Sequence, residues 1–161
     1  ALIVPTEFLN ALSRDRFATV RDDLDPDVAG RIASALDVPS GLYEKRKQEL
    51  PAIRFAAAKR FNGIAAIVTP TAPLVAKSLA DFDDASFARS YHHRITDKTR
   101  PANVLDLCAV TIPITEPKST LPVGLQVICQ RSEDDKVLAI ACALENCLND
   151  PADAPAGDTA T

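Results

Sequence analysis

The first sixty residues place apolar side chains every three or four positions, with charged residues between them, which is the period of amphipathic helices. This pattern predicts a helix over residues 5–24 that is broken once. Asp25-Pro26 then provides an N-cap and a first helical residue for a second helix. A third helix starts near Ser40, and Pro51 either kinks it or begins a separate helix. Asn62-Gly63 ends this helical region.

After the third helix the pattern changes to short apolar runs. Runs at Ile64–Val68, Ala109–Ile114 and Val123–Cys129 predict buried strands. We expect Thr69–Pro73 to leave the sheet as a loop, because proline cannot donate to a strand ladder. Residues 74–99 are polar and lack a sustained period, so they predict a surface excursion with at most a short helix.

The remaining elements complete an α/β pattern. Residues 101–107 predict a short helix, 116–121 a connector between two strands, and 133–148 a helix that covers a sheet. Residues 149–161, rich in Ala, Asp and Pro, predict a low-complexity tail. Helices around three or four strands give an α/β fold with a small sheet, whose outer edge would need a partner or a cover.

Composition narrows the classes of function. The chain has 161 residues, 47% of them apolar, which is enough for one buried core. Its net charge of −4, without a basic block, argues against nucleic acid and anionic membranes as partners. No stretch approaches the roughly 20 apolar residues that cross a bilayer, so we expect a cytoplasmic protein. The absence of Met leaves two alternatives open, a trimmed initiator or a piece of a longer chain.

The cysteines and histidines give no metal or redox motif. Cys108, Cys129, Cys142 and Cys147 form no C-x-x-C pair, and we interpret them as small buried hydrophobes. The adjacent His92-His93 pair lies in a polar segment, where a solvated loop is the simplest interpretation. A hydrolase that uses Cys108 with one of these histidines remains an alternative.

Three segments carry a family resemblance. They are Ile67-Val-Thr-Pro-Thr-Ala-Pro73, Thr99-Arg-Pro-Ala-Asn-Val-Leu-Asp-Leu-Cys-Ala-Val-Thr-Ile-Pro113 and Leu121-Pro-Val-Gly-Leu-Gln-Val-Ile128. In this order and at this separation, followed by an acidic helix start, they resemble the C-terminal part of amidase signature enzymes. The resemblance is specific from Ala52 to Glu145 and only compositional before it.

The resemblance implies an α/β fold with a mixed β-sheet flanked by helices, and hydrolysis of carbon–nitrogen amide bonds. Enzymes of this family use a Ser nucleophile, a second Ser and a Lys, and they need no metal and no cofactor. These groups lie in a Gly/Ser-rich signature that this chain lacks, so no catalytic residue can be assigned here. The implied partners are an N-terminal and central amidase segment, or a companion chain, and a small amide substrate.

Departures from the family pattern refine the placement. Asp106 and Cys108 stand where the family commonly has Gly and Pro. The sequence of residues 103–108 is similar to that of allophanate-hydrolase-like and fatty-acid-amide-hydrolase-like branches of the family. Ala65 replaces an Asp that often precedes the first motif, and Cys129 stands where a Gly usually ends the last strand. Local turn geometry should therefore differ from the family at these positions.

Four residues in the matching segments are candidates for the wall of a substrate pocket. Thr71 lies in the first motif, and Arg100, Asn103 and Leu107 lie in the second. Structural roles compete with this interpretation. Arg100 could pair with Asp106 instead of meeting a substrate carboxylate, and Asn103 could bond the backbone at the start of its helix.

Two hypotheses from different classes follow. In the first, residues 1–148 are the C-terminal part of an amidase domain, helical over 1–62 and a strand and helix layer over 63–148. This part supplies sheet and pocket wall and is inactive without its catalytic segment. In the second, the chain is a non-catalytic binding or assembly subunit that keeps the fold. A homodimer is compatible with either hypothesis.

Overall fold

The computed structural model describes residues 2–114 and 121–149, which form two compact units dividing between Ile53 and Arg54. The helices are α1 (Ile3–Leu12), α2 (Arg14–Val20), α3 (Pro26–Ala33), α4 (Leu42–Ala58), α5 (Ala85–Ile95), α6 (Arg100–Leu105) and α7 (Asp134–Asn149). The strands are β1 (Ile67–Pro70), β2 (Cys108–Ile114) and β3 (Val123–Cys129), and short 3-10 turns lie at Arg21–Asp23, Lys59–Phe61 and Leu79–Asp83. Apart from Leu121 and Asn149, the predicted connector and tail lie outside the described residues.

The first unit is a small helical layer, as the apolar period predicts. The predicted break falls at Ser13, whose positive φ of 70° separates α1 from α2 and whose hydroxyl accepts from the Arg16 backbone N–H. Asp25 caps α3 by accepting from two backbone N–H groups, and proline follows it at the first helical position. The buried side chains that join these helices are Leu9, Phe17, Ile32 and Ala35.

Pro51 lies inside α4 and does not begin a separate helix. Because proline has no N–H, the carbonyl of Lys47, four residues earlier, loses its usual helical donor. The helix continues on both sides of the proline and reaches Ala58. Gly63, with a φ of 79°, completes the predicted stop.

The second unit contains a three-stranded antiparallel sheet in the order β1-β3-β2. Helix α7 packs on β2 and β3, where Val127, Cys129 and Val137 form the buried centre of the contact. The α/β class is therefore confirmed, and the described part of the chain contributes an antiparallel portion of the sheet.

The expectation that the chain leaves the sheet before Thr69 is wrong, because Pro70 is part of β1 opposite Leu125. The backbone N–H of Thr71 donates to the carbonyl of Gly124 at 2.8 Å, so that pair is hydrogen-bonded across the two strands. In an antiparallel ladder such pairs alternate, so the nitrogen of Pro70 points away from β3. At this position a missing N–H removes no ladder bond.

Residues 74–99 are more regular than their polar pattern indicates, since α5 has eleven residues and buries Tyr91. His92 and His93 lie exposed on the last turn of this helix, so the prediction of a loop is wrong for them. The helix is stabilised at its start by Asp84, whose carboxylate accepts from the backbone N–H groups of Ser86 and Phe87.

The cysteines differ in burial. Cys129 is fully buried and Cys108 is half-buried, as expected for strand positions. Cys142 and Cys147 are exposed, so their interpretation as buried hydrophobes is wrong. Both lie on α7, and Val137 and Ala141 are the residues of that helix that are buried.

Candidate substrate-pocket wall

A cavity of about 590 Å³ lies in the second unit, beside the end of β1 and the start of β3. Its walls come from the segment 71–77 after β1, from Phe82 and α5, from Thr111 on β2 and from residues 122–124. Each of the three motif segments found in the sequence contributes to it. The volume lies within the range of roughly 300–1,000 Å³ that small-molecule sites occupy.

A pair of threonine hydroxyls forms the polar part of this cavity. The Oγ1 atoms of Thr71 and Thr111 lie 3.1 Å apart and share one hydrogen bond. Each hydroxyl has one donor and two acceptor positions, so the pair retains one O–H and several lone pairs for another group. Such a pair can both donate to an amide carbonyl and accept from an amide N–H.

Gly124 makes this approach of the two threonines possible. A β-carbon at residue 124 would lie 2.7 Å from Oγ1 of Thr71 and 2.8 Å from Cγ2 of Thr111. Both distances are shorter than a van der Waals contact, so a side chain here would push the threonines apart. Glycine is therefore needed at residue 124 of the third motif because a side chain would collide with the threonines, and not because its φ is positive.

The apolar part of the cavity is held by aromatic packing. The rings of Phe82 and Tyr91 meet edge to face, with centroids 5.2 Å apart, and Phe87 stacks on Tyr91 at 5.8 Å. The Tyr91 hydroxyl donates to the carbonyl of Val75 at 2.8 Å, which ties the segment after β1 to α5. Phe82, Tyr91, Val75 and Ile95 all line the cavity.

Of the four residues predicted to contact substrate, only Thr71 lines this cavity. Arg100 donates to Oγ1 of Thr96 at 2.8 Å and to the carbonyl of His93 at 3.1 Å, and pairs with Asp97 at 3.3 Å. It therefore braces the turn between α5 and α6, and its suggested pairing with Asp106 is wrong. Asn103 is exposed on α6, and the described residues offer its side chain no hydrogen bond.

Leu107 lies elsewhere, in a smaller cavity of about 170 Å³ beside Asp106. Asp106 ends α6 in the left-handed conformation, with φ 61° and ψ 47°. Its carboxylate lies 3.2 Å from Arg131 and 3.7 Å from Arg54. Asp tolerates this conformation better than most residues do, which explains how the chain departs from a common Gly here.

Sequence reasoning missed Thr111, Gly124, Phe82 and Tyr91 as members of one site. Thr111 and Gly124 could have been found from the strand register. The register places Gly124 opposite Thr71 and Thr111 opposite Gln126, and residues 124 and 126 lie on the same face of β3. Tyr91 could have been found from the N-cap residue Asp84 and from its four-residue spacing to Phe87 and Ile95, whereas Phe82 precedes the helix and has no such signal.

Residues 2–114 and 121–149 contain no hydrogen bond between a serine hydroxyl and a lysine amine, and no cluster of three His, Cys, Asp or Glu side chains that could hold a metal. The helices in the same ranges include none long and apolar enough to span a membrane. The residues that line the cavity include neither serine nor cysteine.

Comparisons with known proteins agree with this fold. A solved amidase structure superposes with a TM-score of 0.74 and 23% identity, over 92% of this chain and 34% of that one. The allophanate hydrolase of Kluyveromyces lactis superposes with a TM-score of 0.70 and 21% identity, over 94% of this chain and 27% of that one. These likenesses define the class as the amidase signature fold.

The sequence comparisons specify the family. The family model described as Amidase matches residues 7–138, and the chain belongs to that family. The 2-amino-5-chloromuconic acid deaminase of Comamonas testosteroni is 30% identical over 122 residues, which cover 76% of this chain and 26% of that protein. The chain thus spans about a quarter of the length of this relative.

Proposed function

We propose that this chain is the C-terminal part of an amidase that hydrolyses carbon–nitrogen amide bonds, and that it supplies sheet and one wall of the substrate pocket. The observation that carries the proposal is the convergence of all three family motifs on one cavity, through Thr71, Thr111 and Gly124. The Ser, second Ser and Lys of the family mechanism then come from a preceding segment or a companion chain.

The chemistry of the cavity supports an amide with an apolar organic group. The threonine pair can bond both the carbonyl and the N–H of an amide, and Phe82 and Tyr91 offer an apolar wall for the rest of the molecule. Arg100, Asn103 and Leu107 stay candidate contacts only if substrate or the catalytic segment reaches beyond this cavity. The proposed domain extends over 1–148.

The test joins the chain to the amidase segment encoded upstream of it, in the same reading frame or in a neighbouring gene. We expect release of ammonia from amide substrates only when both parts are present. Replacing the nucleophilic Ser of the upstream part is the matched control and should abolish release. A reading frame that begins at this chain with no companion gene, or a folded assembly without hydrolysis, would contradict the proposal.

The alternative is a non-catalytic binding or assembly subunit, and one observation favours it. In β1 the nitrogen of Pro70 points to the outer edge, and the same alternation places the nitrogen of Pro113 at the outer edge of β2. An edge without these donors is a poor template for another strand. Light scattering on the isolated chain separates the two functions, because a stable monomer favours the subunit and self-association favours the incomplete enzyme.

A further inference from the structure

We propose that Cys108 and Cys129 form a reversible intramolecular disulfide, so that this pair is a redox-modification site of the chain. The two residues are direct partners in the β2–β3 ladder. The proposal is independent of amide hydrolysis, because it concerns two thiols that line neither cavity.

The ladder geometry brings the two cysteines within disulfide reach. Since Thr71 and Gly124 are hydrogen-bonded, Leu125 turns its backbone groups toward β2, and so do Val127 and Cys129. Cys108 and Cys129 thus form a hydrogen-bonded pair, for which the Cα atoms lie about 5.5 Å apart. This Cα distance is within the roughly 4.4–6.8 Å that disulfides span. The β-carbons of such a pair lie about 5.5 Å apart and must close to roughly 4.5 Å, so the disulfide is strained and readily reduced.

Side-chain packing places the two thiols on one face. Directly opposite residues of a sheet share a face, and Cys108 packs against the cluster that contains Cys129 beneath α7. In the reduced state the Cys129 thiol donates to the carbonyl of Ala65 at 3.6 Å. Disulfide formation requires this thiol to turn from Ala65 to Cys108, so the reduced and oxidised states differ at the Ala65 carbonyl, two residues before β1.

The oxidant is a small-molecule disulfide such as oxidised glutathione. The half-buried Cys108 thiolate attacks one oxidant sulfur, forming a mixed disulfide and releasing one thiol that takes up the proton of Cys108. The Cys129 thiolate then attacks the Cys108 sulfur and breaks the mixed disulfide, and the second thiol leaves with the other proton. Two electrons pass from the protein to the oxidant.

Burial sets the order of the two steps. Burial raises the pKa of the Cys129 thiol, while the nearby Lys136 acts in the opposite direction. Cys129 is therefore the resolving thiol and not the first nucleophile. Cys142 and Cys147 are five residues apart on α7, point in different directions and provide internal controls.

The experiment treats the full chain with oxidised glutathione, denatures it, alkylates free thiols with N-ethylmaleimide and counts the adducts by intact mass. We expect four adducts before oxidation and four again after reduction with dithiothreitol. After oxidation Cys108 and Cys129 should carry neither an adduct nor glutathione, whereas the exposed Cys142 and Cys147 carry one or the other. Trypsin cuts after Lys118, so the disulfide should appear as two linked peptides. The Cys142→Ser/Cys147→Ser double variant should still lose two thiols, and Cys108→Ser should lose none to a disulfide.

Several results would overturn the proposal. One is an unchanged count of four adducts, another is a link that includes Cys142 or Cys147, and a third is a glutathione adduct at Cys108 that never closes. If the Cys129→Ser variant fails to fold, the Cys108→Ser variant tests the same disulfide, because it removes the other thiol at a half-buried position. Circular dichroism of each variant before oxidation confirms that the sheet is present.

Discussion

Thr71 and Gly124 join the sheet to the cavity. The backbone N–H of Thr71 donates to the carbonyl of Gly124 at 2.8 Å, and the Thr71 hydroxyl occupies the space that a side chain at residue 124 would need. One pair of residues therefore fixes the alternation of the β1–β3 ladder and the polar end of the pocket wall. This relationship leads to the first prediction.

Gly124→Ala should destabilise the second unit by about 1–3 kcal/mol, because the added methyl group overlaps Thr71 and Thr111. Urea unfolding followed by circular dichroism measures the change. Gly30→Ala is the matched control, since nothing lies within 4 Å of its β-carbon position in α3. That substitution should stabilise its helix by roughly 0.5–1 kcal/mol. Equal effects of the two changes would contradict the contact explanation.

The hydroxyl bond between Thr71 and Thr111 predicts non-additive substitutions. Thr71→Val and Thr111→Val should each cost at most about 1 kcal/mol, and the double variant about as much as either one, because all three remove the same bond. In the proposed assembly with an upstream amidase segment, each change should raise KM for amides. Thr69→Val is the control, since among the described residues that hydroxyl bonds the neighbouring Pro70 carbonyl alone and does not line the cavity. Strictly additive costs would show that the two hydroxyls act separately.

The elements with a clear period were predictable from the sequence, and those that depend on long-range contact were not. Residues 123–129 were predicted with the bounds that the structure has, and α3 follows from Asp25 and Pro26. Only a short helix was expected within residues 74–99, although the Asp84 cap and the four-residue spacing of Phe87, Tyr91 and Ile95 are local signals for α5. The polar residues of the segment obscured this spacing, and the contacts of Tyr91 with Phe82 and with the Val75 carbonyl do not show in the sequence.

The candidate site was only partly predictable for a similar reason. Thr71 could be chosen from its motif, but its partners Thr111 and Gly124 are 40 and 53 positions away and meet it through the strand register. The interpretation of Pro70 failed because a sequence does not show which backbone groups point into a ladder. A residue's role in a sheet depends on that alternation as well as on its type.

The left-handed conformation of Asp106 predicts an order of stabilities. Asp106→Gly should be close to neutral, because glycine removes the backbone cost while the two exposed ion pairs contribute only about 0–1 kcal/mol. Asp106→Ala should cost about 1–2 kcal/mol more than Asp106→Gly, since alanine disfavours positive φ. Thermal unfolding at low and high salt separates the two contributions. An alanine variant as stable as the glycine variant would contradict the backbone explanation.

Asp84 predicts acid sensitivity of α5. Hydrogen bonds from the Ser86 side chain and from the backbone N–H groups of Ser86 and Phe87 hold the pKa of the Asp84 carboxyl below its ordinary value of 3.8. The stabilisation is present above pH 3.8 and is lost as the pH falls through the lower folded value. Asp84→Asn should lower the melting temperature at neutral pH and flatten its fall below pH 4. Asp83→Asn is the control, because no hydrogen bond to the Asp83 side chain is found among the described residues.

The prolines at the sheet edges predict how the isolated chain associates. Pro70→Val should leave the β1–β3 pairing intact, because the restored N–H points away from β3, but it should give the outer edge a new donor. We therefore expect unchanged circular dichroism and a larger mass by light scattering, with Pro113→Val acting in the same direction at the other edge. Pro51→Ala, inside α4, is the control and should leave the mass unchanged. A loss of sheet signal in Pro70→Val would mean that the proline is needed for the fold and not for protection of the edge.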